Sequence, residues 1–185
     1  MALDLSAVDL TTEVVHTERL VLRPYREEDV DAVVRACQDE GIQRWIAAIP
    51  SPYTRAAALE FLTVVAPAAR AGARELVCAV EADGVLVGSS GLHHLHDAAR
   101  LGPEIGYWTA PWARGRGYAA EAAAALAEWA FAHGAPRVHL YADVGNTASQ
   151  AVARRAGFTA EGVVRSCLEH RDGGRGDAVL FGRVR

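Results

Sequence analysis

The sequence predicts an α/β protein built on one mixed sheet flanked by helices, and three observations carry that expectation. Two β-rich runs, residues 75–81 and 85–92, are separated by Ala82-Asp83-Gly84, and Asp-Gly supplies the positive φ angles that a tight hairpin turn needs. In the middle of the chain a strand-like segment, residues 103–109, leads through a glycine turn into an alanine-rich helix and then a strand at residues 137–142. Near the end, β-rich runs around residues 158–168 and 178–184 are joined by Asp172-Gly173-Gly174-Arg175-Gly176. Hairpins at the ends and strand–helix alternation in the middle give a mixed sheet rather than a purely parallel one.

Residues 1–16 show no period and read as a loose lead-in, followed by a single domain over residues 17–185. Thr17-Glu18-Arg19-Leu20-Val21-Leu22-Arg23-Pro24 reads as a strand closed by proline, with Leu20 and Leu22 on one face. Glu27, Glu28 and Asp29 put acids at the start of a helix that runs to about Gln38, with Val30, Val33, Val34 and Cys37 as its apolar stripe. Residues 41–52 look irregular, and residues 54–70 read as a second helix with Leu59, Leu62 and Val65 inward. Gly106 inside its strand suggests a bulge or a close backbone approach. The helix at about residues 118–133 carries Ala122, Leu126 and Trp129 at helical spacing and stops at Gly134. Asn146 or Thr147 then caps a short helix, with Gly157 placed for a left-handed C-cap.

Composition bounds the function. A chain of 185 residues, 51% hydrophobic and without a bilayer-length apolar run, is globular and does not enter a membrane. Its start, Met1-Ala2-Leu3-Asp4-Leu5, lacks the basic residues and apolar core of a secretory signal, so a cytoplasmic location is expected. Cys37, Cys78 and Cys167 lie far apart with no CxxC spacing, which suggests buried side chains rather than disulfides or zinc. A net charge of −4 disfavours nucleic acid and mildly favours a cationic small molecule or peptide. All 19 basic residues are arginine; without lysine there is no Walker-type phosphate loop and no Schiff-base chemistry.

The stretch Trp112-Ala113-Arg114-Gly115-Arg116-Gly117-Tyr118-Ala119-Ala120-Glu121-Ala122 is the most informative. A glycine turn opening directly into a helix aims free backbone N–H groups and the positive end of the helix dipole at one point. Gly115 and Gly117 let a bulky anion approach the backbone, while Arg114 and Arg116 add charge nearby. Glu121 is simplest as a counterweight to the helix dipole. Gly115-x-Gly117-x-x-Ala120 also fits the dinucleotide fingerprint, with Asp143 after the next strand. That NAD-binding alternative is weakened by context, because about five residues including Pro111 separate strand from turn and hairpins flank the unit.

His93-His94-x-His96 invites a metal reading, with His94 and His96 on one strand face. No carboxylate or thiolate with ligand spacing follows, so a solvated or substrate-pocket role is the better expectation. Trp45 and Trp108 suit either an acceptor site or, more simply, core packing.

Arg114-Gly115-Arg116-Gly117-Tyr118-Ala119 resembles the Arg/Gln-x-x-Gly-x-Gly/Ala pyrophosphate loop of the GCN5-related N-acetyltransferases (GNAT). Further landmarks resemble the branch that acetylates ribosomal-protein N-termini: Thr17-Glu18-Arg19-Leu20, Glu104-Ile105-Gly106-Tyr107-Trp108, and Asn146-x-x-Ser149 with Arg155-Ala156-Gly157-Phe158. The likeness extends over about residues 17–184. It implies the GNAT fold: a central, mostly antiparallel, twisted mixed sheet of about six or seven strands with about four helices, the fourth and fifth strands splaying apart.

The resemblance also implies roles. Acetyl-CoA, or another acyl-CoA such as succinyl-CoA, would be co-substrate without a metal, and a peptide N-terminus or small-molecule amine would be acceptor; a homodimer is compatible. Backbone groups of Tyr107, Trp108 and Thr109 would bind pantetheine, with Gly106 permitting the bulge that opens the splay. Arg114, Gly115, Arg116, Gly117, Tyr118 and Ala119 would wrap the pyrophosphate, and Asn146 would touch the cofactor arm. Glu104 is the candidate general base, provided that burial raises its pKa or that it acts through water. Ser149 is the candidate to protonate the leaving thiolate. Glu169, Tyr107 and Tyr141 are lesser acid–base candidates. A catalytically silent acyl-CoA sensor is the alternative from another functional class.

Overall fold

Period-two alternation and turn chemistry lay down β1 (Val15–His16), β2 (Val21–Arg23), β3 (Leu76–Ala82), β4 (Val85–His93), β5 (Glu104–Thr109), β6 (Arg137–Asp143), β7 (Thr159–Glu169) and β8 (Arg175–Val184). The computed structural model describes residues 3–96 and 101–185, and among these the strands form one sheet in the order β1-β2-β3-β4-β5-β6-β8-β7. Asp83 and Gly84 turn the first hairpin with φ of 51° and 76°, as Asp-Gly requires. The eighth strand, beyond the six or seven expected, is the two-residue β1 paired with β2. All neighbours run antiparallel except β5 and β6, which are parallel and meet only at Glu104 opposite His139. These are the fourth and fifth strands foreseen, so the expected splay is present.

Helices cover the sheet in two groups. The long helix α5 (Tyr118–Ala132) and α6 (Thr147–Arg155) follow β5 and β6; Ala122, Leu126 and Ala130 of α5 share a buried cluster with Leu92, Ile105, Leu140 and Phe181 of the sheet. On the other face, Val30, Val33 and Cys37 of α1 (Val30–Cys37) and Ala58 of α3 (Arg55–Glu60) pack on Ala79 and Leu86. The stretch expected to be irregular contains a helical turn, α2 (Glu40–Trp45), because the Asp39 side chain accepts from Ile42 N at 3.0 Å and caps it. The second helix is interrupted by a π turn, Phe61–Val65, before α4 (Ala66–Ala71). Pro67 offers no N–H to the preceding turn and crowds its carbonyls. The wider turn leaves Leu62 3% exposed but puts Val65 at 48%, so Val65 does not face inward as its spacing suggested.

The N-terminal segment is packed rather than loose. Arg70 is buried and its guanidinium donates to Leu10 O at 2.6 Å, Glu13 O at 2.5 Å and Val77 O at 2.9 Å. A buried cation must find such acceptors, and here it finds two of the three in the N-terminal segment. Trp129 Nε1 donates to Glu13 Oε1 at 2.8 Å and ties the same segment to α5.

Candidate functional site

The site is organised by what β5 leaves unpaired. Its register with β4 runs unbroken from Gly88–Thr109 to His93–Glu104, so Gly106 hosts no bulge, contrary to the expectation. Gly106 instead allows a close approach, since a Cβ there would lie 3.0 Å from His93 Nε2. Ala110 N donates to Val87 O at 2.9 Å, and the Gly106 carbonyl accepts from Ser90 Oγ at 3.3 Å. By alternation, the backbone of Gly106 and Trp108 faces β4, while that of Tyr107 and Thr109 faces the gap toward β6. Trp108 contributes no backbone to the gap; its side chain packs against both core clusters.

At one end of the gap lies the glycine turn. Gly115 and Gly117 have φ of 78° and 81°, and Gly117 is the N-cap of α5. The first turn of α5 therefore presents N–H groups without intrahelical partners. The surrounding charges differ from the expectation. Arg114 turns away to Asp39, at 2.5 Å, and its hydrogen bond holds the Asp39 carboxyl below its usual range. Arg116 is exposed, whereas Arg19 stands over the turn. Its Nη1 donates to Arg116 O at 3.2 Å, its guanidinium lies 5.1 Å from the Tyr118 ring, and Nη2 would be 3.7 Å from a Cβ on Gly117.

Glu121 fixes that arrangement. Its carboxylate accepts from Thr17 Oγ1 at 2.6 Å, Arg19 Nε at 2.8 Å and Arg19 N at 3.2 Å. The Thr17–Leu20 landmark is thus the clamp on the start of α5, and Glu121 does more than balance a dipole. Burial alone would raise the Glu121 pKa, but the Thr17 and Arg19 hydrogen bonds bring it below its usual value. A depressed carboxylate contributes stability above its unfolded pKa and loses it as pH falls through the folded value. Glu121→Gln is expected to cost about 1 kcal/mol at pH 7, discounted for the half-exposed Arg19. The gap from wild type should close as pH falls below about 4, which urea denaturation at several pH values would show.

Past the gap, Asn146 caps α6, its Oδ1 accepting from Ser149 N at 3.0 Å. This leaves the Asn146 amide N–H₂ uncommitted by the cap. Tyr107 reaches across from β5: its OH lies 3.0 Å from Ser149 Oγ and donates to Ser149 O at 3.1 Å. Burial, tempered by that Ser149 contact, pushes the phenol up to about 12. Tyr107 and Ser149 thus form a linked pair of hydroxyls.

Glu104 lies on the opposite side of β5 from Tyr107, since side chains three residues apart on a strand point to opposite faces. Its Oε2 is 3.7 Å from His139 Nε2 and 3.9 Å from His94 Nε2. Burial acts to raise its pKa, but His139, His94 and His93 together hold it below the ordinary carboxylate value. The raised pKa that a direct base requires is therefore absent. His94 and His96 do not share a strand face: β4 ends at His93, His94 has φ of 59°, and His96 Nε2 lies 3.0 Å from Gly72 O. His93 instead meets Glu75 at 3.1 Å. Among the described residues no group of His, Cys, Asp or Glu is arranged to hold a metal ion, and no helix is long and apolar enough to cross a membrane.

The remaining candidates lie around this centre. Trp45 stands near Gly145, just past β6. Tyr141 shares the Glu104 side of β6 and meets the His139 ring edge-on at 5.4 Å between centroids. Glu169 is exposed at the β7–β8 hairpin, opposite Arg175. His139 and Arg19 were not expected at the site. Arg137, His139, Tyr141 and Asp143 alternate with Val138, Leu140 and Ala142, so a polar face on β6 was visible as a pattern. Arg19 was visible only as part of a landmark.

Comparison with known proteins agrees with this geometry. The family model described as Acetyltransferase (GNAT) domain matches residues 19–159. A Bacillus subtilis (strain 168) protein described as "Putative ribosomal N-acetyltransferase YdaF" is 41% identical over 87 residues, 46% of this chain and 47% of that protein. The chain thus aligns with about half the length of that relative. Mycobacterium smegmatis RimJ in complex with CoA-disulfide superposes with a TM-score of 0.80 at 24% identity, covering 93% of this chain and 87% of RimJ. The microcin C7 self-immunity acetyltransferase MccE, in complex with acetyl-CoA and AMP, gives 0.82 at 19% identity, covering 91% and 94% of the two chains. At these identities the structural likeness is one of fold. The family model, by contrast, spans Arg19, the parted strands, the glycine turn and the α6 cap, and the chain belongs to the GNAT acetyltransferase family.

Proposed function

We propose that the protein transfers an acetyl group from acetyl-CoA to a primary amine, on a protein or peptide N-terminus or a small molecule. The observation that carries this reading is the gap between β5 and β6, closed at the single Glu104–His139 bridge and open beyond it. An extended pantetheine arm suits the free backbone of Tyr107 and Thr109, as an added strand would. The turn from Arg114 to Ala119 and the α5 N-terminus suit its pyrophosphate, with Arg19 as the cation above it. Asn146 offers its free amide to the arm.

Proton traffic then has a side for each direction. The amine nitrogen attacks the thioester carbonyl from the Glu104 side, the C–N bond forms and the C–S bond breaks. Glu104, too acidic to take a proton directly from an ammonium, accepts it through water from an amine that loses it on attack. On the α6 side the departing thiolate takes a proton from Ser149, which takes one in turn from the Tyr107 hydroxyl bonded to it, and water restores the phenol. RimJ and MccE, described with coenzyme A species bound, support the choice of co-substrate. YdaF, by its description, supports an acceptor amine on the ribosome, and a ribosomal-protein N-terminus is the acceptor class we favour.

The test is coenzyme A release from acetyl-CoA and from succinyl-CoA, each with a panel of N-terminal peptides and of small amines. Release that requires both acetyl-CoA and an amine, with the acetylated amine seen by mass spectrometry, is the expected result. Tight acetyl-CoA binding with no turnover on any amine would instead favour a silent acyl-CoA sensor.

A further inference from the structure

We propose that His139 is a positioning residue for Glu104: from within the sheet its imidazole holds the carboxylate ionised and fixed at the closed end of the gap. This rests on the reading of Glu104 as the proton-accepting group, and it accounts for how one side chain stays charged in a half-buried place.

His139 is 5% exposed, and its Nδ1 is buried without a hydrogen-bond partner among the described residues. A hydrogen on Nδ1 would have no acceptor and would leave the Nε2 lone pair facing the Glu104 carboxylate, lone pair against lone pair. The hydrogen of the neutral ring therefore belongs on Nε2, the nitrogen 3.7 Å from Glu104 Oε2. At that separation the contact is electrostatic rather than a formed hydrogen bond. The ring has little freedom to turn elsewhere. Tyr141 meets it edge-on, and the backbone of His139 is pinned by its own N–H to Pro103 O at 3.0 Å. That last bond is part of the only β5–β6 bridge, so the side chain and the strand junction are fixed together.

The charged surroundings divide by element. On the β4 side, His93 and His94 both lower the Glu104 pKa, and His93 is itself held by Glu75. On the β6 side, His139 lowers it most, opposing burial; the Tyr141 phenol is raised first by burial and then by Glu104. Beyond His139, Glu161 of β7 pairs with Arg137, and His139 is the least of the influences that lower the Glu161 pKa. Among the described residues His139 is thus the partner of Glu104 that is both buried and tied to the strand junction; His94 is 65% exposed at its side chain.

The test is a carbon-13 titration of the Glu104 carboxyl, assigned with Glu104→Gln, in wild type, His139→Phe and His139→Gln. Folding of each variant is verified by circular dichroism. His139→Phe should raise the Glu104 midpoint by about one pH unit or more; His139→Gln, which restores an N–H donor, should raise it less. The acid limb of kcat/KM should move with the midpoint. An unchanged Glu104 midpoint in both variants overturns the proposal. A midpoint that moves while the pH–rate profile stays put upholds the His139 role and tells against Glu104 as the base, so the two readings fail separately. Should His139→Phe not fold, His139→Leu, which likewise has no N–H donor, takes its place, and an unchanged midpoint there overturns the proposal.

Discussion

Replacing Glu104 by glutamine is expected to lower kcat about 10²-fold while leaving acetyl-CoA affinity unchanged. The size follows from the electrostatics. A positioned general base contributes about 10²–10⁴-fold, most when its pKa lies near the working pH. Glu104 is held below its ordinary value by three histidines despite its burial, so the low end applies. The amide keeps the shape and a carbonyl acceptor but cannot take a proton, which separates chemistry from binding. Because Glu104 lies on the face of β5 opposite Tyr107 and at the closed end of the gap, its loss leaves the turn and the free backbone of Tyr107 and Thr109 intact. Steady-state kinetics beside calorimetric titration would check both halves. A kcat within about twofold of wild type would remove Glu104 from the mechanism.

The largest expected effect on stability is at Asp29. Asp29→Ala should lower the unfolding free energy by about 3–5 kcal/mol, the cost of stranding a buried charge. Arg23 makes two parallel bonds of 2.8 Å to Asp29, with side chains 6% and 5% exposed. Glu81 holds Arg23 Nε at 2.8 Å. Without Asp29 the guanidinium faces a single carboxylate in a dry place, and Arg26 N also loses its 2.8 Å acceptor at the entry to α1. Against a typical total of about 5–15 kcal/mol, the loss is severe, and it should appear as a lower urea midpoint. A loss under about 1 kcal/mol would mean that water or local rearrangement screens Arg23.

Asp29 also shows where sequence reading runs out. Three acids in a row at a helix start look like a dipole device, and Glu27 and Glu28 fit that; nothing local marks Asp29 as the partner of a strand arginine. The features that were legible are those enforced within a few residues. Asp83-Gly84 and Gly157 adopt the positive φ their residue types favour, and Asn146 caps α6 as its spacing implied. The splay was legible only through family resemblance, since no residue between Glu104 and Asp143 announces that two strands part. Long-range pairing set the rest. Arg114 finds Asp39 across 75 positions, and Arg19 reaches Glu121 across 102, so the arginine over the turn is not one of the two inside it. The bulge expected at Gly106 is absent because the splay comes from β6 diverging from β5 while staying paired with β8, and Val65 faces outward because a proline two residues later widens the helix.

The central claim, that the turn at Arg114–Ala119 and the parted strands bind acyl-CoA, is tested most directly by calorimetric titration of acetyl-CoA into wild type and Gly117→Val. Gly117 has φ of 81° at the N-cap of α5, where a β-branched residue is strained and its side chain would stand among the N–H groups meant for the pyrophosphate. Saturable one-to-one binding to wild type, weakened about tenfold or more in a folded Gly117→Val protein, is the predicted result. No binding to wild type, or equal affinity in the two proteins, would contradict it.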